Sequence, residues 1–142
     1  MDPFTEILAK PDAVIAIVGA TDNAEKYGSV IYRDLKRKGY RVFPVNPGRD
    51  TVDGDTAYPT VADLPVAPDI IDLVVPASVG MEVVRQALDV GYDRIWVQPG
   101  AESPELLTLL QESGADYIAN ACIMVHSRSV PHQPGPVEAD ER

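Results

Sequence analysis

The feature that most constrains this chain is a short apolar run, Val14, Ile15, Ile17 and Val18, that stops at Gly19. The run shows no apolar–polar alternation. A strand reads this way when both of its faces are covered, as in a parallel sheet layered by helices. A polar loop follows from Thr21 to Lys26, and a helix opens near Tyr27 to Ser29. Strand, glycine turn and helix start together can hold an anion. First-turn N–H groups have no partner inside the helix, and the helix dipole is positive at that end. A phosphate or pyrophosphate is the guest such a stretch suits. On this stretch alone, a glycine that merely turns the chain explains the pattern as well.

The loop is not a dinucleotide fingerprint. The positions two and five after Gly19 hold Thr21 and Ala24, where G-x-G-x-x-G needs glycines. It is not a P-loop either, because Lys26 is followed by Tyr27 rather than Ser or Thr.

The rest of the chain repeats the alternation. Strands are predicted over 41–45, 70–75, 94–97 and 116–119. Val30, Ile31 and Leu35 form an apolar stripe on a helix over 27–38, with Arg33, Lys36, Arg37 and Lys38 towards its end and Gly39 closing it. Ser78 is the predicted cap of a helix over 79–90 whose Val79, Val83, Val84, Ala87 and Leu88 face inward. Ser103, Pro104 and Gly114 bracket a further helix as N-cap, first position and C-cap. Residues 49–60 read as a loop with a tight turn at Asp53-Gly54, and 61–64 as a short helical turn. Residues 1–12 form an N-terminal arm or short helix, 13–128 one domain, and 129–142 a disordered tail rich in proline and acid. Strands alternating with helices predict an α/β, doubly wound, parallel five-stranded sheet with helices on both faces.

Composition narrows the function. A formal charge of −10 disfavours nucleic acid, which needs a basic face. No apolar run approaches the roughly 20 residues that cross a bilayer, and the N-terminus does not read as a secretory signal, so a cytoplasmic location is expected. The single cysteine, Cys122, fits a reducing compartment.

In doubly wound sheets ligands sit beyond the C-terminal strand ends. The tails 19–21, 45–47, 75–77, 98–100 and 120–122 therefore share one edge. An NAD site places Asp or Glu about 20 residues after the glycine loop. Here the second strand ends in Asn46-Pro47, and Asp50 lies past the turn beside Arg49. A ligand richer in phosphate prefers a strand end without a carboxylate.

VIAIVGAT, then Lys26-Tyr27-Gly28, GYRVFPVNP, Gly54, Tyr58-Pro59, DLVVPA, WVQPG, and NAC with His126 follow in order from about residue 13 to 128. Together they resemble the CoA-binding domain family, small proteins similar to the N-terminal domain of the succinyl-CoA synthetase α subunit. The resemblance implies a Rossmann-like fold holding coenzyme A, or an acyl-CoA, across the strand ends. It implies that Gly19, Ala20 and Thr21 cradle the pyrophosphate, with Lys26, Gly28 and Ser29 nearby. Val45, Asn46 and Pro47 would line the adenosine side, with Arg49 as partner of the ribose phosphate. Val75, Pro76 and Ala77 would pack along the nucleotide or pantetheine, and Gln98, Pro99 and Gly100 would shape the far wall. Many relatives carry Ser for Thr21, Leu for Pro99, and Asp-Arg-Cys for Asn120-Ala121-Cys122. The synthetase's phosphorylated histidine belongs to a later domain, so neither His126 nor His132 inherits that role.

Individual residues keep plainer readings. Arg49 is also a loop arginine with Asp50 or Asp53 to pair with. Thr21 is also the start of a local turn. Cys122 reads better as a small buried apolar residue than as a nucleophile. Cys122 with His126 lacks a third ligand, so no metal site is expected. Trp96 belongs to the core or an interface. The reading favours a CoA-binding protein without catalysis of its own. Its rivals are an NAD(P)-binding redox or regulatory protein and a CoA-ligase-related subunit that needs a partner. A homo-oligomer or an unknown protein partner is left open.

Overall fold

The computed structural model describes residues 3–128. In chain order it runs α1 (Pro3–Leu8), β1 (Val14–Val18), α2 (Tyr27–Arg37), β2 (Arg41–Val45), β3 (Thr51–Val52), β4 (Asp55–Thr56), a 3-10 turn (Val61–Asp63) and β5 (Ile70–Leu73). It continues through α3 (Ala77–Asp89), β6 (Arg94–Val97), α4 (Pro104–Ser113), β7 (Asp116–Ala119) and α5 (Ile123–His126). The predicted tail over 129–142, with His132, lies outside the described residues.

Five strands form one parallel sheet in the order β2-β1-β5-β6-β7. This is the expected α/β doubly wound sheet. The even and odd positions of β1 face different layers. Ile15 and Ile17 pack with Ile70 and Trp96 beneath α1, α2 and α5; Ala16 and Val18 pack with Ile71, Leu73, Ile95 and Val97 beneath α3 and α4. All five β1 residues are buried, which explains their uniform apolarity.

Several boundaries follow directly from local chemistry. The Ser103 hydroxyl accepts from the Leu106 amide at 3.1 Å, with Pro104 at the first position, and Gly114 closes α4 at φ 78°. Three expectations are corrected. The third strand ends at Leu73, two residues early. α3 begins at Ala77 with Pro76 as its N-cap, not Ser78. Proline has no amide to satisfy there, and its carbonyl accepts from Val79 and Gly80 at 3.0 and 2.9 Å. The segment read as loop over 49–60 contains the antiparallel hairpin β3–β4. Its two turn residues, Asp53 and Gly54, have φ of 52° and 82°, the conformation that primed hairpin turns require. Lys36 Nζ holds this hairpin to α2 through Asp53 at 3.1 Å and Asp55 at 2.9 Å, and the Tyr32 hydroxyl donates to Asp55 at 2.5 Å.

Asp72 is an outlier in this core. It sits in β5 between Ile17 and Trp96 in the register, is fully buried, and neither carboxyl oxygen has a hydrogen-bond partner among the described residues. Burial holds its pKa well above the ordinary carboxylate value. The sign of the consequence is fixed. Below the unfolded pKa of about 4 both states are protonated; above it the unfolded chain loses the proton first, and stability falls by about 1.4 kcal/mol per pH unit until the folded group also ionises. Asp72→Asn should remove this slope. Urea denaturation of both proteins at several pH values between roughly 5 and 8 checks it, and parallel curves for the two would refute it.

Candidate functional site

The connections from β1 and β5 leave on opposite sides of the sheet, α2 to one and α3 to the other. The C-terminal ends of these adjacent strands are therefore the switch point where such sheets bind ligands. The two tails meet closely. Gly19 has φ 99°, and a side chain on it would run into the Val74 carbonyl. Its amide donates to the Val45 carbonyl at 2.9 Å, so β1 and β2 stay paired into the turn.

Gly28 opens the way for α2. A Cβ at this position would collide with the Gly19 carbonyl oxygen. Only a glycine lets the first turn of α2 lie directly on the turn after β1. Lys26 caps the helix in an extended conformation and provides no side-chain cap, which leaves the first-turn end open to a guest. Lys26 itself is exposed, while Ser29 is buried with its hydroxyl unpaired among the described residues.

The polar loop is braced from the β2 tail. Asn46 Nδ2 donates to the Ala20 carbonyl at 2.9 Å, and Asn46 Oδ1 accepts from the Gly48 amide at 2.8 Å. The Thr21 hydroxyl, itself buried, accepts from the Asn23 amide at 3.2 Å and from Arg49 Nε at 3.1 Å. Arg49 also reaches Asp22 at 3.4 Å, so its carboxylate partner is neither Asp50 nor Asp53.

Two concavities flank this centre and share Val75 as a wall. The larger, about 450 Å³, lies between the tips of β1 and β2 and the side of α3. Of the residues read from the strand tails, Gly19, Val45, Asn46, Pro47 and Val75 line it. The smaller, about 310 Å³, runs between the start of α2 and the tips of β5 and β6; Pro76, Gln98, Pro99 and Gly100 line it. Ala20, Thr21, Lys26, Gly28, Ser29 and Arg49 gather beside the Gly19 turn rather than on either wall, and Ala77 opens α3. The Gln98 side chain is occupied elsewhere. It accepts from the Ile123 amide at 3.0 Å and donates to Cys122 Sγ at 3.3 Å, fastening α5 under the rim.

Sequence reasoning missed the outer wall of the larger cavity: Thr60 and Val61 from the loop after the hairpin, and Val79, Glu82, Val83 and Gln86 from α3. Val79 and Val83 had the spacing of core residues, but Val79 is 46% exposed because it faces the cavity and not the sheet. Helical periodicity identifies an apolar stripe without saying whether protein or ligand covers it. Among the described residues no cluster of three or more His, Cys, Asp or Glu side chains is placed to hold a metal.

Residues 13–128 match the family described as CoA binding domain. The chain belongs to that family. The resemblance seen in the sequence, and the Rossmann-like fold that it implied, both stand. Among solved structures, a conserved hypothetical protein of Pyrococcus furiosus shares this fold with a TM-score of 0.79 at 43% identity, covering 81% of this chain and 99% of that one. YneT of Bacillus subtilis, an uncharacterized protein of similar size, is 26% identical over 78% of this chain and 82% of its own length. An ADP-forming acetate–CoA ligase II of Archaeoglobus fulgidus is 30% identical over 105 residues, 72% of this chain. The aligned part is 15% of that ligase, so the CoA-binding domain occurs both in small proteins and within much longer ligases.

Gly28→Ala should move α2 off the Gly19 carbonyl. We expect a loss of roughly 1–3 kcal/mol in stability, typical of overpacking against backbone. Thermal denaturation checks the loss; a variant as stable as the parent would mean that the close approach is not required.

Proposed function

We propose that this chain binds coenzyme A, or an acyl-CoA, along the C-terminal rim of its sheet and performs no chemistry of its own. The diphosphate would lie at the Gly19–Thr21 turn and the open end of α2, near Lys26. The nucleoside end would enter the larger cavity, and the pantetheine arm would follow Val75, Pro76 and Pro99. The observation that carries this reading is the contact of Gly28 with the Gly19 carbonyl. It places an uncapped helix start at the switch point, beside a cavity of the size that suits a cofactor fragment.

Two features favour this ligand over NAD. The β2 tail has no acid for a ribose diol, and Asn46 is already engaged with Ala20 and Gly48. Relatives named as ADP-forming acetate–CoA ligases align with 72% and 77% of this chain, and their name includes CoA. In a cytoplasmic setting the chain would hold the coenzyme for a partner that supplies catalysis.

Calorimetric titration with CoA and NADH tests the proposal. CoA should bind, and at a hundredfold excess over Kd should stabilise the fold by about 2.7 kcal/mol. No heat with CoA at millimolar concentration, from folded protein, would overturn it, and stabilisation by NADH alone would favour a redox protein. Lys26→Glu separates the site from the fold. A carboxylate at a helix start suits the dipole, so stability should hold or rise, while CoA affinity falls about tenfold or more.

A further inference from the structure

One side of α3 forms the outer wall of the larger cavity. Along α3, Ser78, Glu82 and Gln86 succeed one another at intervals of four residues, and Val79 and Val83 run beside them. On a helix this spacing gives two adjacent seams, one polar and one apolar, both directed at the same space. Glu82 is exposed and forms no ion pair or hydrogen bond with any described residue. Among the described residues it is also the one charged side chain lining this cavity; Lys26 and Arg49 lie outside it. A compartment whose one charge among the described residues is negative repels phosphate. Its apolar seam suits a flat ring, and its carboxylate suits a hydrogen-bond donor on that ring's edge.

We infer that Glu82 is the specificity residue of a nucleoside compartment. It accepts a hydrogen bond from the donor-bearing edge of the bound nucleoside, either the base amino group or a ribose hydroxyl, and keeps phosphate on the Gly19 side of the rim. The inference rests on the coenzyme reading for the identity of the base, adenine. Adenine presents an amino group where hypoxanthine presents a carbonyl oxygen, and a carboxylate accepts from the first and repels the second.

The test titrates the full chain with adenosine, inosine and 2′-deoxyadenosine, followed by NMR shift changes, in the parent and in Glu82→Gln. Glu82 is exposed on its helix, so the variant retains the fold. The parent should prefer adenosine to inosine by about tenfold. In the variant, whose amide donates as well as accepts, that preference should shrink to near unity or invert. If the donor is the ribose, 2′-deoxyadenosine instead should be the weak ligand of the parent, and the variant should lose that difference. The same preferences in both proteins, or no saturable nucleoside binding, would overturn the inference. A parallel CoA titration keeps the two proposals apart. CoA binding with unchanged nucleoside preferences rejects the role of Glu82 alone, and Glu82-dependent nucleoside binding without CoA binding rejects the coenzyme reading alone.

Discussion

The arrangement depends on one backbone-on-backbone approach. The Gly19 carbonyl lies where a side chain of residue 28 would begin. Because both residues are glycines, the turn after the first strand and the first turn of the next helix occupy adjoining space with no side chain between them. Gly19 in turn lies against Val74, beyond the end of the third sheet strand in sequence. Two neighbouring segments of the chain and the distant one at Val74 thus converge at one point, and the amide end of α2 is brought to the middle of the sheet edge rather than its margin.

Around that point the two sides of the sheet do different work. On the side of α1, α2 and α5, polar contacts tie segments together: Lys38 Nζ donates to Met124 O at 2.8 Å and to Ser127 Oγ at 2.9 Å, and Gln98 holds Ile123. On the side of α3 and α4 the layer is apolar through its depth and opens towards the rim, where α3 leaves Val79 and Glu82 uncovered. The helix that opens the cavity is also one of those that close the core beneath it, through Val84 and Ala87. The two roles interleave along α3, with Gly80, Val84 and Ala87 turned to the core and Val79, Glu82 and Gln86 to the cavity, so the division runs around the helix.

The sequence displayed the fold well where local chemistry is decisive. Gly19, Ser103-Pro104 and Gly114 each impose a backbone conformation that no tertiary contact needs to supply, and β1, β6 and β7 announce themselves by composition. It was less legible where packing decides. Pro76 and Ser78 are both acceptable helix starts, and the one that prevails does so because the strand before it ends early. The hairpin β3–β4 has strands of two residues, too short for any periodicity, and depends on Lys36 and Tyr32 from α2. Of the binding rim, the strand tails could be read because topology assigns them a common edge. The α3 wall could not, since an apolar residue beside a cavity looks the same in sequence as one beneath a sheet. Asp72 gave no sign of its isolation, because only the assembled core shows that nothing polar reaches it.

Trp96, the chain's lone tryptophan, lies on the face away from the larger cavity. Its indole donates to the Ala121 carbonyl at 2.8 Å, and its ring meets Phe4 edge-on at 5.7 Å and His126 at the same separation. The intrinsic fluorophore is therefore a sensor of whether α1 and α5 are docked against the sheet. Its emission follows fraying at the two ends of the domain, where Phe4 and His126 meet the ring, and it has no direct view of whatever occupies the opposite side.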